Sequence, residues 1–247
     1  MEKQNKFPSE IVELPSKGLL YSEDSPLKSG KIEMKYMTAK EEDILTNQNY
    51  IEKGVVIDKL LQALIVDKNI KYGDLLIGDK NALLVAARVL GYGKDYEFNW
   101  AGTKEIIDLT GLKEKQVDYS IFDSGKNEFK YTLPTSGDEI TFKLLTHADE
   151  SKVAREITGL KKVNKEASPE LSTRLKYMIT AVNGNGDTKT VREFIDNRFL
   201  ARDSREFRKY VETINPDVDL TFYPEGGPEE GVNIPIGVTF LWPDATI

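Results

Sequence analysis

The chain reads as an α+β protein of strand-to-helix units and small antiparallel β-ribbons, with a helical C-terminal half. Three observations predict this. In "KIEMKYMTAKEEDIL", Ile32, Met34 and Tyr36 alternate with Lys31, Glu33 and Lys35, as in a half-buried strand, and helical composition begins at Thr38. The layout returns in "DEITFKLLTHADE", where Ile140, Lys143, Thr146 and Glu150 match Ile32, Lys35, Thr38 and Glu42. Elsewhere short alternating runs are separated by turns such as "AGT", "SGK" and "TSGD", and three helical patterns follow.

Taken in order, residues 1–30 predict an extended arm. Pro15, Gly18, Pro26 and Gly30 interrupt every apolar group in "IVELPSKGLLYSEDSPLKSG" before a period can form. Residues 31–160 predict an α+β region. Its first strand passes into a helix through Thr38 and Glu41, a capping pair, and Thr146 with Asp149 repeats the device. Helices are expected through "VVIDKLLQALIV" and "DKNALLVAARVLGYG", burying Leu60, Leu61, Leu64 and Ile65 and then Leu83, Leu84, Ala87 and Leu90. From Asp95 a meander is expected through "YEFNW", "KEIIDL", "KQVDYSIFD", "NEFKYTLP" and "DEITFKLLT".

The polar stretch "KKVNKEASPE" reads as a linker between the halves and opens a helical segment, 161–214, with helices in "PELSTRLKYMITAV", "TKTVREFIDNRFL" and "DSREFRKYVETI". Residues 215–247 predict a ribbon around "YPEGGPEEG", its strands carried by Phe222, Val232, Ile234, Ile236, Val238, Phe240 and Trp242. The turn has the outline of a zinc knuckle, with Tyr223 and Gly226 where thiolates would stand.

Composition limits the chemistry. The 247 residues, 39% of them hydrophobic, can build a core. With 34 basic against 41 acidic residues the net charge of −7 opposes phosphate, so neither nucleic acid nor an anionic membrane is an expected partner. No cysteine and one histidine leave no usual zinc ligand set, and no cofactor or metal is expected. The N-terminal stretch lacks a signal-like apolar run, and none of the apolar runs approaches the roughly 18 residues that span a bilayer, so an intracellular protein is expected.

Catalytic motifs are not evident. Neither a phosphate-cradling loop nor a nucleophile elbow occurs in a convincing context. His147, in the first turn of a predicted helix, reads as a surface or capping residue rather than a catalyst. "NGNGD" lacks the spaced acids of a calcium loop and reads as a turn.

Three stretches carry a resemblance. "FIDNRFLARDSREFRKYVETINPDVDLTF" followed by "VNIPIGVTFLWPD", the opening "LPSKGLLYSEDSPLKSGKIEMKYMTAKEEDIL", and "RVLGYGKDYEF" resemble the baseplate hub and hub-assembly proteins of T-even-type contractile-tailed phages. Some members of that family carry Cys-Pro-x-Cys-Gly in the final ribbon; this chain keeps the turn residues without the thiolates. The resemblance implies a non-enzymatic tail protein, a structural hub subunit or an assembly chaperone. It would work in the host cytoplasm during assembly or in the virion baseplate. Its partners would be hub proteins, and an oligomer is compatible with that role.

On this reading at least one of two surfaces meets a partner, the arm at Leu14, Leu19, Leu20 and Tyr21 or the tail at Phe240, Leu241 and Trp242, where apolar groups lie outside strong helical patterns; the alternative is that both pack on the body of this chain. Removing residues 1–24 is then expected to leave the rest of the fold intact. Two other classes remain open, a nucleic-acid-binding ribbon protein and a hydrolase without a recognised motif. Against the first, residues 222–242 hold Glu225, Glu229 and Glu230 and no Lys or Arg.

Overall fold

Residues 14–30 fold back on themselves between two paired strands. A computed structural model of the chain describes residues 8–166, 168–236 and 238–242. Strand β1 (Ser9–Glu13) pairs antiparallel with β2 (Lys31–Lys35), Ile11 facing Glu33. Beyond Thr38 come helices α1 (Ala39–Leu45), α2 (Gln48–Glu52) and α3 (Val56–Leu64), after which the chain returns to the far edge of β2. There the Val66 N–H donates to the Glu33 carbonyl at 3.0 Å. Helix α4 (Ile77–Tyr92) leads into the hairpin β3 (Asp95–Trp100) and β4 (Thr103–Asp108). Ala101 and Gly102 both take positive φ, 48° and 85°, as a two-residue hairpin turn requires.

The second half repeats the plan. Strands β5 (Phe129–Thr132) and β6 (Glu139–Phe142) pair antiparallel, helices α5 (His147–Val163) and α6 (Glu170–Met178) follow, and β7 (Ile179–Val182) returns to the far edge of β6. The sequence repeat is mirrored in burial and bonding. Ile32 and Ile140 are buried, as are Met34 and Phe142, and Leu45 and Val153. Lys35 reaches Glu41 at 2.7 Å, and Lys143 reaches Asp149 at 2.7 Å. Helices α7 (Thr188–Asn197) and α8 (Ala201–Ile214) close the helical half. The chain ends in β8 (Thr221–Phe222), β9 (Val232–Asn233) and the short α9 (Val238–Leu241). The fold is α+β with small antiparallel sheets, and its buried apolar cluster runs continuously from Leu14 to Leu241, across residues 30, 160 and 214.

Both acids sit in the first turn of a helix and close a capping box with the threonine before it. At Thr146 the hydroxyl accepts the Asp149 N–H at 3.3 Å while the Asp149 carboxylate takes the Thr146 N–H at 3.2 Å. At Thr38 the Glu41 carboxylate takes both the N–H, at 3.1 Å, and the hydroxyl, at 2.6 Å. Thr146→Ala and Thr38→Ala are each therefore expected to lower stability by about 0.5–2 kcal/mol. Urea midpoints of the two variants measure this.

Burial opposes the charge on Glu41, but hydrogen bonds from Lys35 and Thr38 outweigh it and hold the carboxyl below its usual range. Asp149 behaves alike through Lys143 and Thr146. Both pairs therefore add stability above the ordinary carboxylate range, and that contribution is lost as pH falls below it.

Several expected elements differ. "KQVDYSIFD" holds a 3₁₀ turn at Tyr119–Ile121 rather than a strand, because the Asp118 side chain accepts the Ser120 N–H at 3.0 Å. The helix expected through Val182 ends at Met178, and the β-branched run from Ile179 joins β6 instead. The meander divides into the β3–β4 hairpin and a three-stranded sheet that includes β7. In the tail, Pro235 interrupts the period-two run, the paired ribbon is two residues per strand, and Phe240 lies in a helical turn.

Candidate interaction surface

The arm and the tail, expected as partner surfaces, lie in the chain's own core. Leu14, Leu20 and Tyr21 are buried, and Leu19 is half-buried. Phe240 and Leu241 are fully buried, with Trp242 packed against the same cluster. The Phe240 ring meets Tyr96 edge-on at 4.8 Å, and the Tyr96 hydroxyl donates to the Pro235 carbonyl at 2.9 Å. Partner binding is corrected for Leu14, Leu20, Tyr21, Phe240 and Leu241, whose apolar surface is already covered in this conformation, while Leu19 and Trp242 are half-buried.

What fastens the arm is a buried carboxylate. Asp79, in the first turn of α4, accepts the Ser16 N–H at 2.9 Å, the Ser16 hydroxyl at 2.6 Å and the Tyr21 hydroxyl at 2.6 Å. The Tyr21 oxygen in turn accepts the Leu76 N–H at 2.9 Å. Burial pushes the Asp79 carboxyl above its ordinary range even though the donors pull the other way. Burial, and then the Asp79 charge, push the Tyr21 hydroxyl up as well. Gly18 closes the loop at φ 75°, where a Cβ would come within 2.3 Å of the Lys28 carbonyl oxygen.

His147 joins a second polar cluster. Asp58 on α3 accepts Tyr72 at 2.9 Å and Lys80 at 3.0 Å, and lies 3.3 Å from His147 Nε2. Burial opposes the Asp58 charge, yet these donors outweigh it and hold the carboxyl well below its usual range. The cluster ties α3, the turn at Tyr72–Asp74, α4 and α5, so His147 acts as a joint between the repeated units. Sequence reasoning placed His147 correctly in a first turn but had no signal for Asp58. Among the described residues, no group of three or more His, Asp or Glu side chains could hold a metal ion. Tyr223 is exposed, and Gly226 takes φ 74° in a turn closed by the Gly227 N–H on the Pro224 carbonyl at 3.0 Å.

The open surface lies beside β1. A groove of about 460 Å³ runs between this strand and α4. Val12 and Pro15 line one side, the half-buried Val85, Ala86 and Val89 of α4 the floor, and Leu112 the far wall. Glu10, Glu13 and Glu114 stand around it with Lys113. No sequence signal assembles this surface, because its pieces come from β1, α4, residues 109–114 and Val218. Comparisons of the chain with protein-family models, curated proteins and solved structures found no match to any of them.

Proposed function

We propose that the chain is a non-enzymatic protein of a contractile phage tail, a baseplate hub subunit or hub-assembly factor that works through protein–protein contacts. The sequence resemblance to hub and hub-assembly proteins, spread over both ends and the middle of the chain, carries the reading. Its stretches coincide with joints of the fold. The opening stretch contains Ser16 and Tyr21, which bind Asp79. "RVLGYGKDYEF" contains Arg88, whose guanidinium bonds the Gly93 and Asp95 carbonyls at 2.8 and 2.9 Å. "NPDVDLTF" contains Asp217, which accepts Asn81 Nδ2 at 3.0 Å. Pro216 lies against Gly78, so closely that a Cβ there would meet its carbonyl oxygen at 1.9 Å. Residues that fix a fold are the ones a shared architecture would retain.

Mass spectrometry of purified virions beside infected-cell lysate tests the proposal. A hub subunit is expected in virions in fixed ratio to other hub proteins. An assembly factor is expected with hub proteins in lysate only. A chain found with hub proteins in neither sample overturns the reading.

A further inference from the structure

We propose that the free edge of β1, with the groove beside it, is a strand-addition site for an extended segment of a partner protein that carries alternating apolar side chains flanked by Lys or Arg. The proposal rests on the reading of the chain as a protein-contact component and adds the place and the chemistry of the contact.

Backbone phase identifies the free groups. The Leu14 N–H donates to the Gly30 carbonyl at 2.8 Å, and the Tyr36 N–H donates to the Pro8 carbonyl at 3.0 Å. In an antiparallel pair this phase turns the backbone groups of residues 8, 10, 12 and 14 toward β2, so those of Ser9, Ile11 and Glu13 point away from it. Among the described residues, no third strand pairs with that edge. Edge strands are usually blunted by Lys, Pro or a bulge, whereas the middle of this one carries Ile11, 58% exposed.

The groove supplies the second half of a strand-addition site. An added strand lies about 4.8 Å from its neighbour and turns alternate side chains to one face. Here one face meets the groove with its apolar floor of Val85, Ala86 and Val89, and hydrogen bonds from the edge would fix the segment while these side chains select apolar residues.

Charge selects the occupant. Glu10, Glu13 and Glu114 outnumber Lys113 around the groove, and Lys31 offsets only Glu13, at 2.9 Å. A second copy of this chain would pair two such acidic edges within a molecule of net charge −7, whereas a cationic segment is attracted to them.

Ile11→Pro provides the test variant, because the N–H it removes faces the free edge and not β2. The variant is expected to melt within a few degrees of the wild-type chain. With the isolated full chain, a saturating synthetic peptide Lys-Val-Thr-Val-Thr-Val-Lys is expected to slow exchange of the Ile11 and Glu13 amides at least tenfold. The counterpart with Glu at both ends is expected to have no effect, and Ile11→Pro to weaken binding of the Lys peptide at least tenfold. No slowing by the Lys peptide, equal slowing by both peptides, or unchanged affinity in folded Ile11→Pro overturns the proposal. So does a concentration-dependent dimer that Ile11→Pro dissolves, because the edge would then serve a second copy. Should Ile11→Pro fail to fold, unchanged peptide affinity in Glu114→Lys overturns it instead. Hub complexes that form in infected cells equally well with folded Ile11→Pro defeat this site and leave the proposed function standing. Peptide binding by a chain found in no hub complex defeats the function and leaves the site.

Discussion

Deletion of residues 1–24 is expected to abolish cooperative unfolding of the remaining chain. The deletion removes β1 and with it one side of β2, and it strips Leu14, Leu20 and Tyr21 from the core. Each such side chain contributes about 1.5–3 kcal/mol by burial. It also leaves Asp79, fully buried, without the three donors that solvate it, and leaves the Leu76 N–H without the Tyr21 oxygen. Together these losses reach the roughly 5–15 kcal/mol that stabilises a whole domain.

A single substitution isolates the polar part. Asp79→Ala leaves three buried donors without an acceptor, at about 1–3 kcal/mol each, and is expected to lower stability by about 3–5 kcal/mol after relaxation. The pH dependence carries an additional signature. Because burial raises the Asp79 carboxyl in the folded state, the folded chain binds that proton more readily than the unfolded one. Its contribution is therefore largest below the ordinary carboxylate range and declines as pH rises through the raised value, the opposite sign to Glu41 and Asp149. Asp79→Asn is expected to remove that decline. Calorimetry and urea titration at several pH values measure all of this, and a 1–24 deletion that melts like the full chain would return the arm to the role of an appendage.

The contrast between Thr146 and Ser16 explains how much was legible in the sequence. Thr146 acts on the residue three places along, so its cap could be read from the local pattern and appears as expected. Ser16 acts on Asp79, 63 residues away, and no period or motif joins them. The interrupted pattern of residues 1–30 predicts an extended arm, because Pro15, Gly18, Pro26 and Gly30 break every local period. Here the stretch from Leu14 to Ser16 is buried, and its backbone is satisfied by Asp79, by the Gly30 carbonyl and by Tyr119, whose hydroxyl donates to the Pro15 carbonyl at 2.8 Å. The tail shows the converse. Its apolar alternation is real, but a pattern with Pro235 inside it could not hold a ladder, and Phe240 gains its burial from Tyr96 instead of from strand neighbours. The groove was invisible for a geometric reason: it is the space left between elements, and none of its walls has a sequence signature of its own.

Phe142→Ala is expected to lower stability by about 3–5 kcal/mol, among the largest effects of any single truncation. The ring is fully buried on the middle strand of the three-stranded sheet, where it meets Phe129 at 5.4 Å and Phe207 edge-on at 4.9 Å. Tyr210 lies 6.2 Å away, so rings from β5 and α8 converge on this one side chain. Its removal takes apolar area and aromatic contacts at once, and the surrounding strands are held by backbone pairing on both edges of β6, which limits collapse into the space. Met34 is the matched residue of the first unit and is equally buried, but it is an unbranched, flexible side chain without a ring. Met34→Ala is therefore expected toward the lower end of about 2–5 kcal/mol. Urea midpoints with unchanged slopes test the pair. If Phe142→Ala loses less than Met34→Ala, the aromatic cluster can repack around the void, and α8 rather than the sheet sets the rigidity of the second unit.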